Sequence, residues 1–229
     1  MAANELTGKK IAVVLEQKFI PEEIWAYLNG FKLLGAEVEL VTRLWYGDYK
    51  PGEDKPDHLD CYSDADPGDD PPWTSPQKLT AKRDITQLDT DLDKYAAVIM
   101  SANYTSVRLR YPGELPSPGG KFDARAHVQS APVVKLFARA MSNKNIVKGL
   151  LCHGLWVLAP NPKLLEGRKV ICHSVVMADI INCGAEIVIT PNRVVEDDDL
   201  ITGFSKHEVV PFIDAIARRI QRTSQPKQG

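Results

Sequence analysis

Apolar positions near the start of the chain repeat with the periods of strands and helices. Residues 10–15 are apolar and β-branched, and residues 37–42 alternate between apolar and polar, so both segments are predicted strands. Between them, Pro21 opens a stripe of helical period that ends at Gly35, a residue that tolerates the left-handed end of a helix. The first fifty residues therefore predict a strand, a helix and a second strand.

The same alternation continues along the rest of the chain. Further strands are predicted at residues 83–86, 95–100, 146–151, 169–171, 186–189, 194–196 and 200–202, and helices at residues 132–142, 155–159, 175–183 and 209–220. Strands that alternate with helices favour an α/β fold, in which a mostly parallel sheet carries helices on both faces.

Two segments interrupt this alternation and are predicted surface excursions, at about residues 46–82 and 104–125, of a single domain that spans residues 1–229. Residues 46–76 contain eight Asp, one Glu, two Lys and six Pro without periodicity. The acidic side chains repel one another and proline has no backbone N–H to donate, so this segment should stay out of the sheet. A solvated loop is favoured over a dedicated metal or partner site, although Tyr62 and Trp73 leave docking onto the body or another subunit open.

Composition narrows the class of protein. The 229 residues are 44% hydrophobic and 25% charged, close to globular averages, and no apolar run is long enough to cross a membrane. The polar first ten residues do not resemble a secretory signal, so a cytoplasmic location is expected. With 28 basic and 30 acidic residues the net charge is −2, which disfavours nucleic acid as a partner.

The four cysteines, which are Cys61, Cys152, Cys172 and Cys183, are expected to be free thiols because a chain of this length can build its own core. Two of them precede a histidine, but the second cysteine of a zinc motif is missing in both places. Adjacent residues of a strand also point to opposite faces. A metal site is therefore not predicted.

Cys152 occupies the position with the strongest chemical signal. It follows a predicted buried strand directly, and a helix is predicted from Leu155, so the chain must turn sharply while Gly154 permits close approach. Helical N–H groups and the helix dipole would favour a displayed thiolate. On local sequence alone, a buried cysteine at a strand end is an equally supported interpretation.

Several motifs around this cysteine resemble the ThiJ/PfpI family. They are GLLCHG at residues 149–154, LLEGRKV at 164–170, DIINCGAE at 179–186 and DLIT at 199–202. The resemblance covers nearly the whole chain apart from the two excursions. It implies a flavodoxin-like three-layer sandwich of the class I glutamine amidotransferase type, usually dimeric or larger.

The resemblance also implies catalytic residues. Cys152 is the expected nucleophile, and Glu23 is the expected acid that hydrogen-bonds its sulfur and exchanges a proton with substrate. Helix N-terminal charge compensation is the alternative role for Glu23, and Glu16 is the reserve acid. His153 serves either as a base or as a packed neighbour.

The sequence departs from the family after the strand at residues 95–100. Where P-G-G is common and a backbone N–H contributes to an oxyanion site, this chain has Ser101, Ala102 and Asn103. Together with Gly154, Ala102 and Asn103 are candidate substrate-binding positions. Asn103 either donates its amide or serves as a left-handed turn residue.

Three more residues are substrate-binding candidates. Tyr104 and Arg108, with Arg110, could form a cationic wall for an anionic or carbonyl substrate, although exposed basic residues usually have no such role. His173 follows a predicted strand and could reach the same sheet end, where α/β proteins bind ligands. A structural histidine is the favoured interpretation there.

These features predict a cofactor-independent cysteine enzyme, a hydrolase, hydratase or glyoxalase-like lyase, that adds Cys152 to a small electrophile. A non-catalytic redox or stress-sensing protein that oxidises the same cysteine is the alternative from a different class. A binding module that has lost catalysis is a third possibility. The expected partners are a small molecule and a second copy of the chain, with no nucleic acid or membrane.

Overall fold

The computed structural model describes residues 5–43, 59–63, 77–81 and 83–224. The strands are β1 (Lys10–Val14), β2 (Glu37–Thr42), β3 (Leu59–Tyr62), β4 (Lys78–Ala81), β5 (Arg83–Asp84), β6 (Ala97–Met100), β7 (Val147–Leu151), β8 (Lys169–Val170), β9 (Glu186–Ile187), β10 (Val194–Asp197) and β11 (Leu200–Gly203). The α-helices are α1 (Pro21–Leu33), α2 (Ile85–Asp91), α3 (Thr105–Leu109), α4 (Ala124–Gln129), α5 (Pro132–Ser142), α6 (Ser174–Asn182) and α7 (Val209–Ser224).

Seven strands form the central sheet in the order β10-β11-β7-β6-β1-β2-β5. Every neighbouring pair is parallel except β10 and β11, which pair antiparallel. Met100 of β6 lies opposite both Val14 and Leu150, so β1, β6 and β7 end side by side. The residues that follow these three strands are therefore brought together at one edge of the sheet.

Alternate side chains of each strand enter two separate cores. Ile11 and Val13 pack with α1 and α7 on one face, whereas Ala12 and Val14 pack with α2, α5 and α6 on the other. Successive side chains of a strand point to opposite faces, so they enter different cores when helices cover both faces of the sheet. The predicted flavodoxin-like three-layer α/β sandwich, with helices on both faces of a mostly parallel sheet, is confirmed.

The predicted strand at residues 83–86 is only partly correct. Asp84 ends β5, and its carboxylate accepts a hydrogen bond from the backbone N–H of Thr86 at 2.8 Å while the Gln87 side chain accepts one from the Asp84 N–H at 3.0 Å. This reciprocal pair is a capping box, which starts a helix. Helix α2 therefore begins at Ile85, where the sequence pattern predicted strand.

The excursions also hold more structure than the sequence predicted. β3 and β4 pair antiparallel outside the main sheet, and Cys61 of β3 is buried. The backbone N–H of Lys18 donates to the Tyr62 carbonyl at 2.7 Å, so this part of the acidic segment is not a solvated loop. Trp73 lies outside the described residues. The second excursion contains α3 and the first residues of α4.

The strands predicted at residues 169–171 and 186–189 are shorter than expected and do not join the central sheet. They form β8 and β9, which pair parallel with each other alone. Within the described ranges, none of the helices combines the length and the apolar character needed to span a bilayer.

Candidate active site

Cys152 occupies a strained turn directly after β7. Its backbone φ of 59° is left-handed, a conformation that costs a non-glycine residue about 1–2 kcal/mol. A 3₁₀ helix, Cys152–Leu158, starts at the cysteine itself, three residues before the predicted helix and with a tighter winding. At Gly154 a Cβ atom would lie 2.8 Å from the carbonyl oxygen of Met100, so the predicted close approach is present.

The Cys152 side chain is buried, and only 5% of the residue is exposed. The expectation of a displayed thiolate is therefore wrong. Burial raises the pKa of the thiol to about 11, and the charge of Glu23 raises it further, while the backbone N–H groups of His153 and Asn103 lower it in part. Helices packed against the sheet remove water from the sulfur, and this desolvation outweighs the favourable N–H groups.

Glu23 lies in the first turn of α1 and is completely buried. Its Oε1 atom accepts a hydrogen bond from the Tyr27 hydroxyl at 2.7 Å, and both carboxyl oxygens lie 3.0 Å from the backbone N–H of Ala102. Among the described residues Glu23 makes no hydrogen bond to the Cys152 sulfur, which corrects the contact implied by the family resemblance. Burial raises the pKa of Glu23 to about 7, although these two donors lower it.

The His153 imidazole lies beside the Cys152 sulfur. Its Nδ1 atom lies 3.5 Å from Cys152 Sγ. Burial and the neighbouring His173 lower the pKa of the imidazole to about 4, so the ring is neutral at physiological pH. Within the described part of the chain, the buried Nε2 atom has no hydrogen-bond partner.

Three rings contact His153, and a fourth extends the cluster. The Tyr104 and Trp156 rings each stack on His153 with centroids 5.4 Å away, and His173 lies 5.0 Å away at a steeper angle. Phe204 contacts His173 in turn, at 5.4 Å. Tyr104 is 47% exposed, so this ring cluster extends from the buried sulfur to the surface.

The turn after β6 supplies main-chain groups to the site. Ala102 donates its N–H to Glu23, so this group is already engaged. Asn103 has a left-handed φ of 62°, and its side-chain amide donates to the Lys18 carbonyl at 2.6 Å. The structure therefore supports the turn-residue interpretation of Asn103, whose backbone N–H, not its side chain, faces the sulfur.

The remaining candidates have other partners. Glu16 is fully buried and ion-pairs with Arg108, so the predicted cationic wall is neutralised at that position. Burial raises the pKa of Glu16, while Arg108 lowers it in part. His173 caps α6, since its Nδ1 accepts the Val175 N–H at 3.3 Å. The His173 ring also contacts the His153 ring. His173 is thus a structural histidine, and it also lies at the sheet end where the sequence makes it a substrate-binding candidate.

Three residues of the site were not predicted from the sequence. Tyr27 belongs to the apolar stripe of α1, and only its spacing of four residues from Glu23 signals the hydrogen bond. Trp156 lies four residues after Cys152, where a single tryptophan has no distinctive pattern. Phe204 stands outside the motifs that carry the family resemblance, so the resemblance did not indicate it.

The four cysteines are free thiols, as predicted. In the ranges that the structure describes, no three His, Cys, Asp or Glu side chains group as metal ligands.

Comparison with known proteins supports the resemblance found in the sequence. Residues 111–219 match the model of the DJ-1/PfpI family. The predicted resemblance to the ThiJ/PfpI family is thus confirmed, and the matched DJ-1/PfpI segment contains Cys152, His153 and His173 but not Glu23 or Asn103. A comparison with curated protein sequences finds no match.

Solved structures of this DJ-1/PfpI type share the fold. A ThiJ/PfpI domain protein from Brachyspira murdochii is 13% identical, with a TM-score of 0.68 over 94% of this chain and 98% of that one. DJ-1beta of Drosophila melanogaster is 15% identical, with a TM-score of 0.64 over 95% and 96%. A two-domain protein of Anabaena variabilis, with DJ-1/ThiJ/PfpI-like and ferritin-like domains, is 21% identical with a TM-score of 0.63. That match covers 93% of this chain but only 48% of the two-domain protein.

Proposed function

We propose that the protein is a cofactor-independent cysteine enzyme that adds Cys152 to a small electrophilic substrate. The observation that carries this proposal is the left-handed backbone of Cys152 at the end of a buried strand. Such strain persists only where the surrounding structure enforces it, and it turns the sulfur toward two main-chain N–H groups and an imidazole. A cysteine that only fills space would not need this turn.

The first chemical step uses a neutral thiol and a neutral imidazole. Because its pKa is raised to about 11, Cys152 holds its proton at physiological pH, and His153 Nδ1 is placed to accept that proton as the sulfur attacks. A bond forms between the sulfur and the electrophilic carbon, and the π electrons of a carbonyl move to its oxygen. The imidazolium then returns the proton to that oxygen. Hydrolase, hydratase and glyoxalase outcomes share this step.

Glu23 acts on the thiol through charge. Its pKa of about 7 means that neutral and ionised forms coexist at physiological pH, and the ionised form opposes thiolate formation at Cys152. Its bond to the Ala102 N–H also holds the turn that presents the Asn103 N–H to the sulfur. We therefore assign Glu23 to positioning and electrostatic control, with the protonated form as the competent one.

The buried thiol disfavours the redox-sensing alternative. Oxidation by peroxide follows thiolate character and exposure, and Cys152 has a raised pKa and is only 5% exposed. A buried thiol with a raised pKa agrees better with an enzyme in which the thiol loses its proton only when a substrate is bound.

The test is a screen of small aldehydes, glyoxals, isonitriles and amides, read as substrate turnover and as adduct mass on each cysteine. We expect adducts on Cys152 and no turnover after Cys152→Ala. Cys61→Ala is the matched control, since Cys61 is also buried but hydrogen-bonds to Thr42, and it should keep wild-type turnover. Full turnover by Cys152→Ala, or adducts spread evenly over the cysteines, would contradict the proposal.

The homodimer or larger oligomer implied by the family resemblance remains part of this proposal. Sedimentation equilibrium of the full chain at micromolar concentration is the direct measurement, and a monomer mass would refute it.

A further inference from the structure

A second concave site lies beside the 3₁₀ helix that follows Cys152. It is a cavity of about 860 Å³, within the range of small-molecule sites, and Cys152 does not line it. Its walls come from the end of α3, from α4, from the turn after the 3₁₀ helix and from α6. Most of the lining is apolar, including Pro112, Val128 and Pro160.

Arg110 is the residue of this cavity with hydrogen-bond donors available for a ligand. Its guanidinium lies 5.5 Å from the centroid of the Trp156 ring and donates one hydrogen bond to the Trp156 carbonyl at 3.2 Å. A guanidinium has five N–H donors, so most of them remain for another partner. Within the described part of the chain Arg110 hydrogen-bonds no carboxylate, whereas its neighbour Arg108 is paired with Glu16.

The surroundings of Arg110 limit the charge of that partner. Burial lowers the pKa of the guanidinium, and the charge of Asp179 raises it in part. Asp179 also lines the cavity and accepts a hydrogen bond from Trp156 Nε1 at 2.7 Å. This fixed negative charge would repel a dianion, while one carboxylate matches the planar fork of one arginine.

We propose that this cavity binds a small monocarboxylate with an apolar body. The carboxylate accepts hydrogen bonds from Arg110, and the hydrocarbon packs against Val128 and the prolines of the lining. This site is separate from the Cys152 chemistry and does not depend on it.

Calorimetric titration of the full chain with octanoate and with octanol tests this proposal, because the two probes share a tail and differ in charge. A charge-assisted contact in a partly buried site should make octanoate bind at least about tenfold more tightly than octanol. Arg110→Met should remove that difference and leave the octanol affinity within about twofold, because methionine keeps the aliphatic stem. Arg125→Met, which changes an exposed arginine outside the lining, should bind as the wild type does.

Two results would overturn the proposal: equal affinities of the wild type for both probes, including no binding of either, or a preference for octanoate that survives in Arg110→Met. Should Arg110→Met fail to fold by circular dichroism, Arg110→Lys retains the charge without the fork and should show an intermediate preference. An unchanged preference in Arg110→Lys would then contradict the bidentate contact.

Discussion

Replacing Glu23 by Gln should make the folded protein more stable relative to the wild type as the pH rises. Glu23 is buried, and its pKa is about 7 in the folded protein against an ordinary value of 4.5. The folded state therefore binds the proton more tightly than the unfolded state does. The stability that this proton contributes is complete below pH 4.5 and is lost as the pH rises through 7.

The size of the effect follows from the shift in pKa. A rise from 4.5 to about 7 corresponds to at most about 3.5 kcal/mol, at about 1.4 kcal/mol for each pKa unit. Glutamine can retain both hydrogen bonds through a single oxygen, because Oε1 already accepts from the Tyr27 hydroxyl and the Ala102 N–H. The variant thus removes the titration and keeps one acceptor for both donors, although its amide nitrogen replaces the second oxygen beside the Ala102 N–H.

Urea unfolding of wild type and Glu23→Gln at several pH values between 5 and 8 measures this difference directly. Other titrating groups, such as His153, act on both proteins and cancel when the two free energies of unfolding are subtracted. We expect the wild type to lose about 2–3 kcal/mol relative to the variant across this range. A difference that stays constant with pH would refute the assignment of a buried, half-protonated Glu23.

Three further outcomes are expected. The rate of Cys152 alkylation by iodoacetamide should be low at pH 7 and rise toward pH 11, and a plateau near pH 7 would mean that burial does not control the thiol. Gly154→Ala should lower the free energy of unfolding by about 1–3 kcal/mol, because the new methyl group would lie 2.8 Å from the Met100 oxygen; unchanged urea unfolding would disagree. Lys148→Met should cost about 1–3 kcal/mol by the same measurement, since it removes the buried ion pair with Asp199, which keeps its second ion pair with Arg168; a neutral result would show that the Lys148 pair does not stabilise the fold.

The order of strands and helices was largely predictable because each main element carries its own local signal. The apolar run of β7, the helix-stopping Gly35 and the helix-opening Pro132 act over a few residues, and the structure places elements at each of them. The capping box at Asp84 is equally local. The sequence pattern nevertheless predicts a strand at residues 83–86, since four residues are too few to show a period.

The position of the candidate nucleophile also follows from local sequence. A cysteine that follows a buried parallel strand must lie at the carboxyl edge of the sheet, and a glycine two residues later permits the sharp turn there. Both consequences depend only on the order of residues, and both are present in the structure.

The chemistry of that position depends instead on contacts between distant segments of the chain. Glu23 accepts a hydrogen bond from Ala102, which is 79 residues away in the sequence. The burial of the sulfur and of the His153 Nε2 atom, which has no hydrogen-bond partner among the described residues, likewise needs elements from distant parts of the chain. A pKa depends on the water that all of those elements exclude together. Local sequence can therefore indicate which residue reacts, but not whether its proton is held or released.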